Sequence, residues 1–374
     1  MTSDSIHRPT RCVVDLGAIE RNYRAIDAHV GAAQVMPVVK ANAYGHGLGE
    51  VGRRLEAAGA PALGVAYVEE GVALRDAGVT IPVQVLGGAV QRQIPLFLQH
   101  DLTFTAPSID KVRQIDEAAR AEGVRATAHL KIDTGMERIG VHHPNAPELF
   151  ATAAECENVD VGGVFSHFAN ADTADLDDAR RQLDRFVEAI EFYPDNGLPM
   201  PTRHMANSAA IAQLPESHLD LVRPGIISFG VYPSDETVRN IELEPALRWL
   251  SEVIYFKVVQ PGSAVSYGST WAPQQQTRVI TMPIGYADGY MRALSNRAEV
   301  LVADQRLPVV GRVCMDQTMA DLGTGTAYNG DEVVMIGPSG EDAILVEDLA
   351  RWAGTIPYEV LTSISARVPR EYVG

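Results

Sequence analysis

Short apolar runs alternate with longer amphipathic stretches through the first two thirds of the chain. Residues 36–39 (Met-Pro-Val-Val) form such a run, Gly45 and Gly47 punctuate it, and residues 48–58 follow with helical spacing. Upstream, residues 12–16 read as a strand, and residues 18–30 place Ile19, Tyr23, Ile26 and Val30 on one helical face. Downstream, strands are expected at 62–67, 82–86, 102–105, 126–132, 161–165, 203–205 and 221–222. The intervening helices are expected at 69–77, 109–122 (capped by Ser108), 148–156 and 178–192, with a short one after Asn207-Ser208. The unit recurs roughly every 25 to 30 residues, the length of a βα repeat. About eight strands between Val35 and Gly230 favour an α/β fold of the closed (β/α)8, TIM-like barrel type over an open sheet.

Beyond Glu244 the texture changes. Strand patterns at 251–259, 278–283, 299–302, 307–313 and 331–336 are separated by Gly and Pro turns, and only 344–352 reads as helix. This predicts a C-terminal mostly-β domain, with the boundary between Ser234 and Pro245. The expected division is 9–240 for the barrel and 241–374 for the β domain. No internal repeat is evident.

Composition narrows the class of partner. The 374-residue, 40.4 kDa chain has 46% hydrophobic and 21% charged residues, ordinary for a globular protein with a large core. Its net charge of -17 argues against nucleic acid or an acidic membrane as partner. Cys12, Cys156 and Cys314 are far apart and form no CxxC pair, so neither a zinc site nor a disulfide framework is suggested. Residues 1–8 lack the apolar core of a signal peptide, and no uncharged apolar run is long enough to span a bilayer. A cytoplasmic protein is expected.

The chemistry centres on Lys40, at the end of the apolar run 36–39. Functional side chains of α/β barrels project from the C-terminal ends of strands. An amine there, backed by apolar residues, is partly desolvated, which lowers its pKa and frees it to attack a carbonyl. The surrounding residues, Val39-Lys40-Ala41-Asn42-Ala43-Tyr44-Gly45-His46-Gly47, resemble the cofactor-lysine motif of the alanine racemases, which hold pyridoxal 5′-phosphate (PLP) on a lysine. The likeness runs from Arg8-Pro9-Thr10 to Arg367-Val368-Pro369-Arg370, with several motifs in the family's order.

That resemblance implies roles for residues that would otherwise pass as ordinary. Tyr267, in Val265-Ser266-Tyr267-Gly268-Ser269-Thr270-Trp271, matches the family's second base. Inverting a carbon needs proton removal on one face and return on the other, and Lys40 and Tyr267 would share that work. The lysine would handle the D-amino-acid proton and the tyrosine the L. In the family this tyrosine comes from the partner subunit, which implies a head-to-tail homodimer. Arg223, in Leu221-Val222-Arg223-Pro224-Gly225-Ile226, matches the arginine facing the pyridine nitrogen. A guanidinium donates without giving up its proton, so it weakens the cofactor as an electron sink and limits side reactions. His167 matches a histidine that supports this arginine and lies near the ring. A phosphate calls for small hydroxyls and backbone amides, which Asn207-Ser208 at a helix start and Gly225-Ile226 at the end of the last strand offer, though Ser208 also suits a helix N-cap without a ligand; Tyr44 and Tyr358 match family tyrosines that reach the phosphate.

For the substrate carboxylate the matches are Arg138, in Lys131-Ile132-Asp133-Thr134-Gly135-Met136-Glu137-Arg138, and Met315, in Gly311-Arg312-Val313-Cys314-Met315-Asp316-Gln317, whose backbone amide in the family reaches the carboxylate from the partner subunit. Lys131 occupies a position that is carbamylated in some members. Asp316 lies in the same loop as Met315. Tyr286, Arg292, Arg312, Asp172 and Ile356 match residues lining the entry channel. No metal is implied. The expected function is interconversion of L- and D-alanine, which in this family supplies D-alanine for cell-wall peptidoglycan. The alternatives are a racemase of broader range, a non-catalytic PLP-binding barrel and a decarboxylase of similar architecture. Tyr267 and the β domain argue against the second, and Arg223 in place of a carboxylate argues against the third.

Overall fold

A computed structural model describes residues 8–374; the N-terminal segment read above for a signal sequence lies outside them. Contacts divide the chain into two units, one of residues 18–43 and 47–244, the other of 8–17, 44–46 and 245–374.

In the first unit eight parallel strands form a barrel, and a ninth, Val141–His142, pairs in parallel with one of them. The eight are Gln34–Val35, Leu63–Val65, Val83–Val85, Phe104–Ala106, Ala126–Asp133, Val159–Phe165, Thr202–His204 and Leu221–Val222. Each pairs with the next, the first and second through a Val38–Gly64 bridge and the third and fourth through Gln84–Thr103. Leu221 pairs with Gln34 and closes the ring, so the sheet has no free edge. Residues such as Leu63, Val65, Val83, Val85, Leu130, Ile132 and Val164 are almost fully buried, as strands covered by helices require. The helices follow their sequence signals. Ile109–Glu122 starts where Ser108 accepts from the Lys111 N–H at 3.2 Å and stops at Gly123, whose φ of 68° suits glycine. Asp177–Ile190 buries Ala179, Leu183, Phe186 and Ile190 on one stripe and carries Asp177 and Asp178 in its first turn, near the positive end of its dipole.

The second unit is mostly β. Its larger sheet runs in the order Gln305–Pro308, Glu299–Val302, Glu332–Ser339, Leu247–Glu252, Arg11–Asp15, Arg370–Val373, with Asp342–Ile344 pairing alongside Glu332–Ser339. A three-stranded sheet joins Tyr255–Val259, Thr277–Met282 and Thr318–Gly323. Fully buried Trp249 meets the Tyr290 ring edge-on at 5.8 Å.

Several expectations are corrected here. The strand at 12–16 was read with the barrel domain, yet Arg11–Asp15 pairs with Leu247–Glu252 and Arg370–Val373, burying Cys12 and Val14 completely. By contacts, 8–17 and 44–46 group with 245–374. The expected strand 251–259 is two strands in two sheets, because the Val253 N–H donates to Asp331 and the Ile254 N–H to Thr281. The strand Thr318–Gly323, the helix Pro357–Ser363 and the strand Arg370–Val373 had no expectation. Among the described residues no helix is long and apolar enough to cross a membrane.

Candidate active site

Lys40 follows directly on the buried run 36–39, and its chain then turns in an unusual sense. Ala41, Asn42, Ala43 and Tyr44 have φ of 53°, 56°, 52° and 51°, a left-handed turn without a single glycine. Each such residue costs roughly 1–2 kcal/mol against the right-handed form, so surrounding bonds must impose it. Asn42 supplies two: its Oδ1 accepts from the Leu48 N–H at 2.9 Å and its backbone oxygen from Gly47 at 2.9 Å. Ala41 donates to Glu70 Oε1 at 2.6 Å. The Lys40 amine is pushed below the ordinary lysine range, first by burial and then by the Arg138 charge. Glu70 opposes that shift and Arg223 adds to it.

Arg223 sits at the end of the last barrel strand and is almost fully buried, at 3% exposure. One terminal nitrogen donates to His204 Nδ1 at 2.8 Å; the other faces the Ser166 carbonyl at 2.8 Å, the Met205 carbonyl at 3.1 Å and His167 Nδ1 at 3.3 Å. Its Nε has no partner among the described residues. Burial lowers the guanidinium to about 9, so it remains charged at neutral pH. A guanidinium only donates, so His204 Nδ1 is a lone pair and its proton lies on Nε2, 2.8 Å from His129 Nδ1. Burial and then Arg223 hold His204 well below the usual histidine range, and the same causes bring His129 to about 4. Burial, followed by Arg223, Lys131, Arg138 and Lys40, does the same to His167. All three are therefore neutral orienting groups. Sequence reasoning found Arg223 and His167 but missed His204 and His129. The signal was a histidine on each of two barrel strands, ordinary on its own.

Lys131 and Arg138 belong to one strand and the turn it feeds. Asp133 shapes that turn by accepting from the backbone N–H groups of Gly135 (2.8 Å), Met136 (3.0 Å) and Arg138 (3.2 Å), which leaves the Arg138 side chain exposed. Lys131 is buried, donates to the Ile132 carbonyl at 2.7 Å and lies 5.2 Å over the Phe165 ring. Burial, with Arg223 next, lowers its amine from 10.5 to about 7. Between those values the unfolded chain holds a proton that the native chain lacks, so stability from this group is lowest below pH 7 and rises as pH climbs toward 10.5. Urea unfolding in carbonate-free buffer at about pH 6 and about pH 9 should show wild type gaining on Lys131→Met at the higher pH. A difference independent of pH would contradict this.

The remaining barrel residues meet at the end of the last strand. The helix N-cap is Asn207, whose Oδ1 accepts from the Ala210 N–H at 3.1 Å, and not Ser208 as the sequence allowed. Ser208 is thereby free to accept from the Gly225 N–H at 2.8 Å, and its own proton remains available to an acceptor. Ile226 opens the next helical turn, Ile226–Phe229, and is buried beside it.

In the β unit Tyr267 is 71% exposed, a large aromatic presented outward. Ser266 before it donates to the Arg312 carbonyl at 2.6 Å and lies 3.4 Å from Cys314 Sγ. A Cβ on Gly268, whose φ is 71°, would come within 2.8 Å of the Arg312 guanidinium. The Tyr267 and Met315 loops are thus tied together. Tyr286 is fixed to the same loop, since its N–H donates to Cys314 and that of Ala287 to Met315, each at 3.0 Å. Met315, Tyr286 and Ile356 are exposed, and Asp316 pairs with Arg367 at 2.8 Å. Tyr44 and Tyr358 stand with ring centres 6.1 Å apart. Arg292 and Asp172 are exposed, each in its own unit.

Residues 14–233 match the family model for the alanine racemase N-terminal domain, and residues 246–372 that for its C-terminal domain. The chain belongs to the alanine racemase family. It is 43% identical to an alanine racemase of Carboxydothermus hydrogenoformans over 98% of this chain and 100% of that one. The alanine racemase of Streptomyces lavendulae superposes with a TM-score of 0.95 at 37% identity, over 99% and 98% of the two chains. That of Bacillus anthracis, solved with bound L-Ala-P, gives 0.92 at 35% identity over 99% and 96%. The family's cofactor is PLP, and the donor set suits it: a desolvated amine, an unused Arg223 N–H and an available Ser208 proton.

Proposed function

We propose that Lys40 and Tyr267 are the two proton carriers of an enzyme that interconverts L- and D-alanine. The reading is carried by one observation: a desolvated lysine shares a site with a buried, charged arginine whose Nε is unused. When bound on Lys40, PLP supplies an electron sink that makes the substrate Cα proton removable. The Lys40 amine serves the D face, and the partner subunit's Tyr267 hydroxyl serves the L face. The exposure of Tyr267 suits a side chain offered to a second copy, as a head-to-tail homodimer requires.

Arg223, its guanidinium plane fixed by His204 and His167, would donate to the ring nitrogen of bound PLP and oppose its protonation. Ser208, Asn207, Gly225 and Ile226 would receive the phosphate, largely through backbone and hydroxyl donors, a duty that the family also gives to the residues matched by Tyr44 and Tyr358. Arg138 and the backbone amide of the partner subunit's Met315 would hold the substrate carboxylate, with Lys131 in support beside Arg138, and Asp316 and Tyr286 beside Met315. A cytoplasmic location belongs to this reading and accords with three free cysteines. So does supply of D-alanine for the cell wall.

Borohydride reduction of PLP-loaded protein should fix the cofactor mass on the peptide carrying Lys40. Attachment to another lysine would refute the assignment. Arg223→Glu, which places a carboxylate at the ring nitrogen, should raise transamination relative to racemisation about tenfold or more. Pyruvate release measured against D-alanine formation checks this, and an unchanged ratio would remove Arg223 from its role.

A further inference from the structure

The left-handed turn behind Lys40 is closed from both sides. On the far side Asn42 binds Gly47 and Leu48. On the near side the support comes from a distant residue, Glu70, in the helix Val68–Asp76. Glu70 Oε2 accepts from the N–H groups of Ala66 at 2.8 Å and Tyr67 at 3.2 Å, the ordinary duty of a glutamate in a helix's first turn. That duty occupies one oxygen. Oε1 is turned elsewhere and accepts from the Ala41 N–H at 2.6 Å, a charge-assisted bond to the residue next to Lys40. One carboxylate thus bridges the end of strand Leu63–Val65 to the start of a turn that four non-glycine residues would not adopt unaided.

We infer that Glu70 is a positioning residue, a carboxylate clamp that holds the left-handed turn and so presents the Lys40 amine for cofactor capture and proton transfer. The inference rests on Lys40 being the cofactor lysine. Its charge acts in the same place, since Glu70 counters the Arg138 and Arg223 fields at the amine. Helix capping alone predicts a different outcome. A cap stabilises its own helix and leaves the backbone at Ala41 untouched, whereas a clamp is coupled to the strain at Ala41.

The experiment removes the cofactor, then titrates PLP back and follows the visible absorbance of bound cofactor, with thermal melting of the same samples. Glu70→Ala should weaken PLP capture about tenfold or more and lower the melting temperature. Adding Ala41→Gly, which relieves the cost of positive φ, should recover most of the lost capture while the melting temperature stays low, because the helix cap is still missing. Glu70→Gln keeps an acceptor for Ala41 but turns an NH2 toward Ala66 and Tyr67; it should fold and lose capture less, about threefold. Capture unchanged in both Glu70 variants, or no recovery with Ala41→Gly, would overturn the clamp. Borohydride trapping on wild type separates the two readings: labelling elsewhere than Lys40 overturns both, and labelling at Lys40 with normal capture by the Glu70 variants overturns this one alone.

Discussion

Lys40→Ala should abolish the visible absorbance of bound cofactor and lower racemisation in both directions by about 10⁴-fold or more. Two losses combine. The amine that holds the cofactor is gone, and so is the base on the D face. The amine is also hard to replace, because its lowered pKa comes from burial and from the fields of Arg138 and Arg223, which a solvated amine does not share. A small exogenous amine such as methylamine should restore part of the activity, and a bulkier amine less, since the deleted side chain leaves a limited space. Lys40→Ala protein that retained both the absorbance and the rate would end the assignment.

The second large effect concerns Tyr267→Phe, which deletes one hydroxyl from an exposed ring and leaves the fold intact. The two enantiomers have equal free energy, so kcat/KM must fall equally in both directions, by about 10²- to 10⁴-fold. The asymmetry lies in exchange. In deuterated water the variant should still exchange the α-proton of D-alanine with retention, because Lys40 remains. The α-proton of L-alanine should no longer exchange. Mass spectrometry of the recovered amino acid, with chiral separation, checks this. Equal exchange from both enantiomers would mean that Tyr267 is not the L-face base.

Much of the barrel was legible in the sequence because parallel strands buried on both faces leave uninterrupted apolar runs, such as Leu63–Val65 and Leu221–Val222. Helix ends with strong local signals, such as Ser108 and Gly123, could also be read. What failed was non-local. The strand Arg11–Asp15 has the right pattern for either unit, and only its pairing with Leu247–Glu252 and Arg370–Val373, both more than 200 residues away, decides. The turn at 41–44 carries no left-handed signal except Asn42, because a carboxylate 29 residues on imposes it at Ala41. His204 and His129 were invisible for the same reason, since their meaning lies in a hydrogen bond between two strands. For the site, motif matching named the residues proposed to meet cofactor or substrate, while the histidine pair behind Arg223 and the Glu70 bond to Ala41 emerged from geometry.

In the proposed reaction, α-protons leave one face of alanine and arrive on the other through two different groups. Incubating the PLP-loaded protein with pure L-alanine in deuterated water, followed by chiral separation and mass analysis, tests it most directly. D-alanine should appear carrying α-deuterium and approach half of the total amino acid. A pool that stays L, or one that loses carbon dioxide or becomes pyruvate without inversion, would contradict the account.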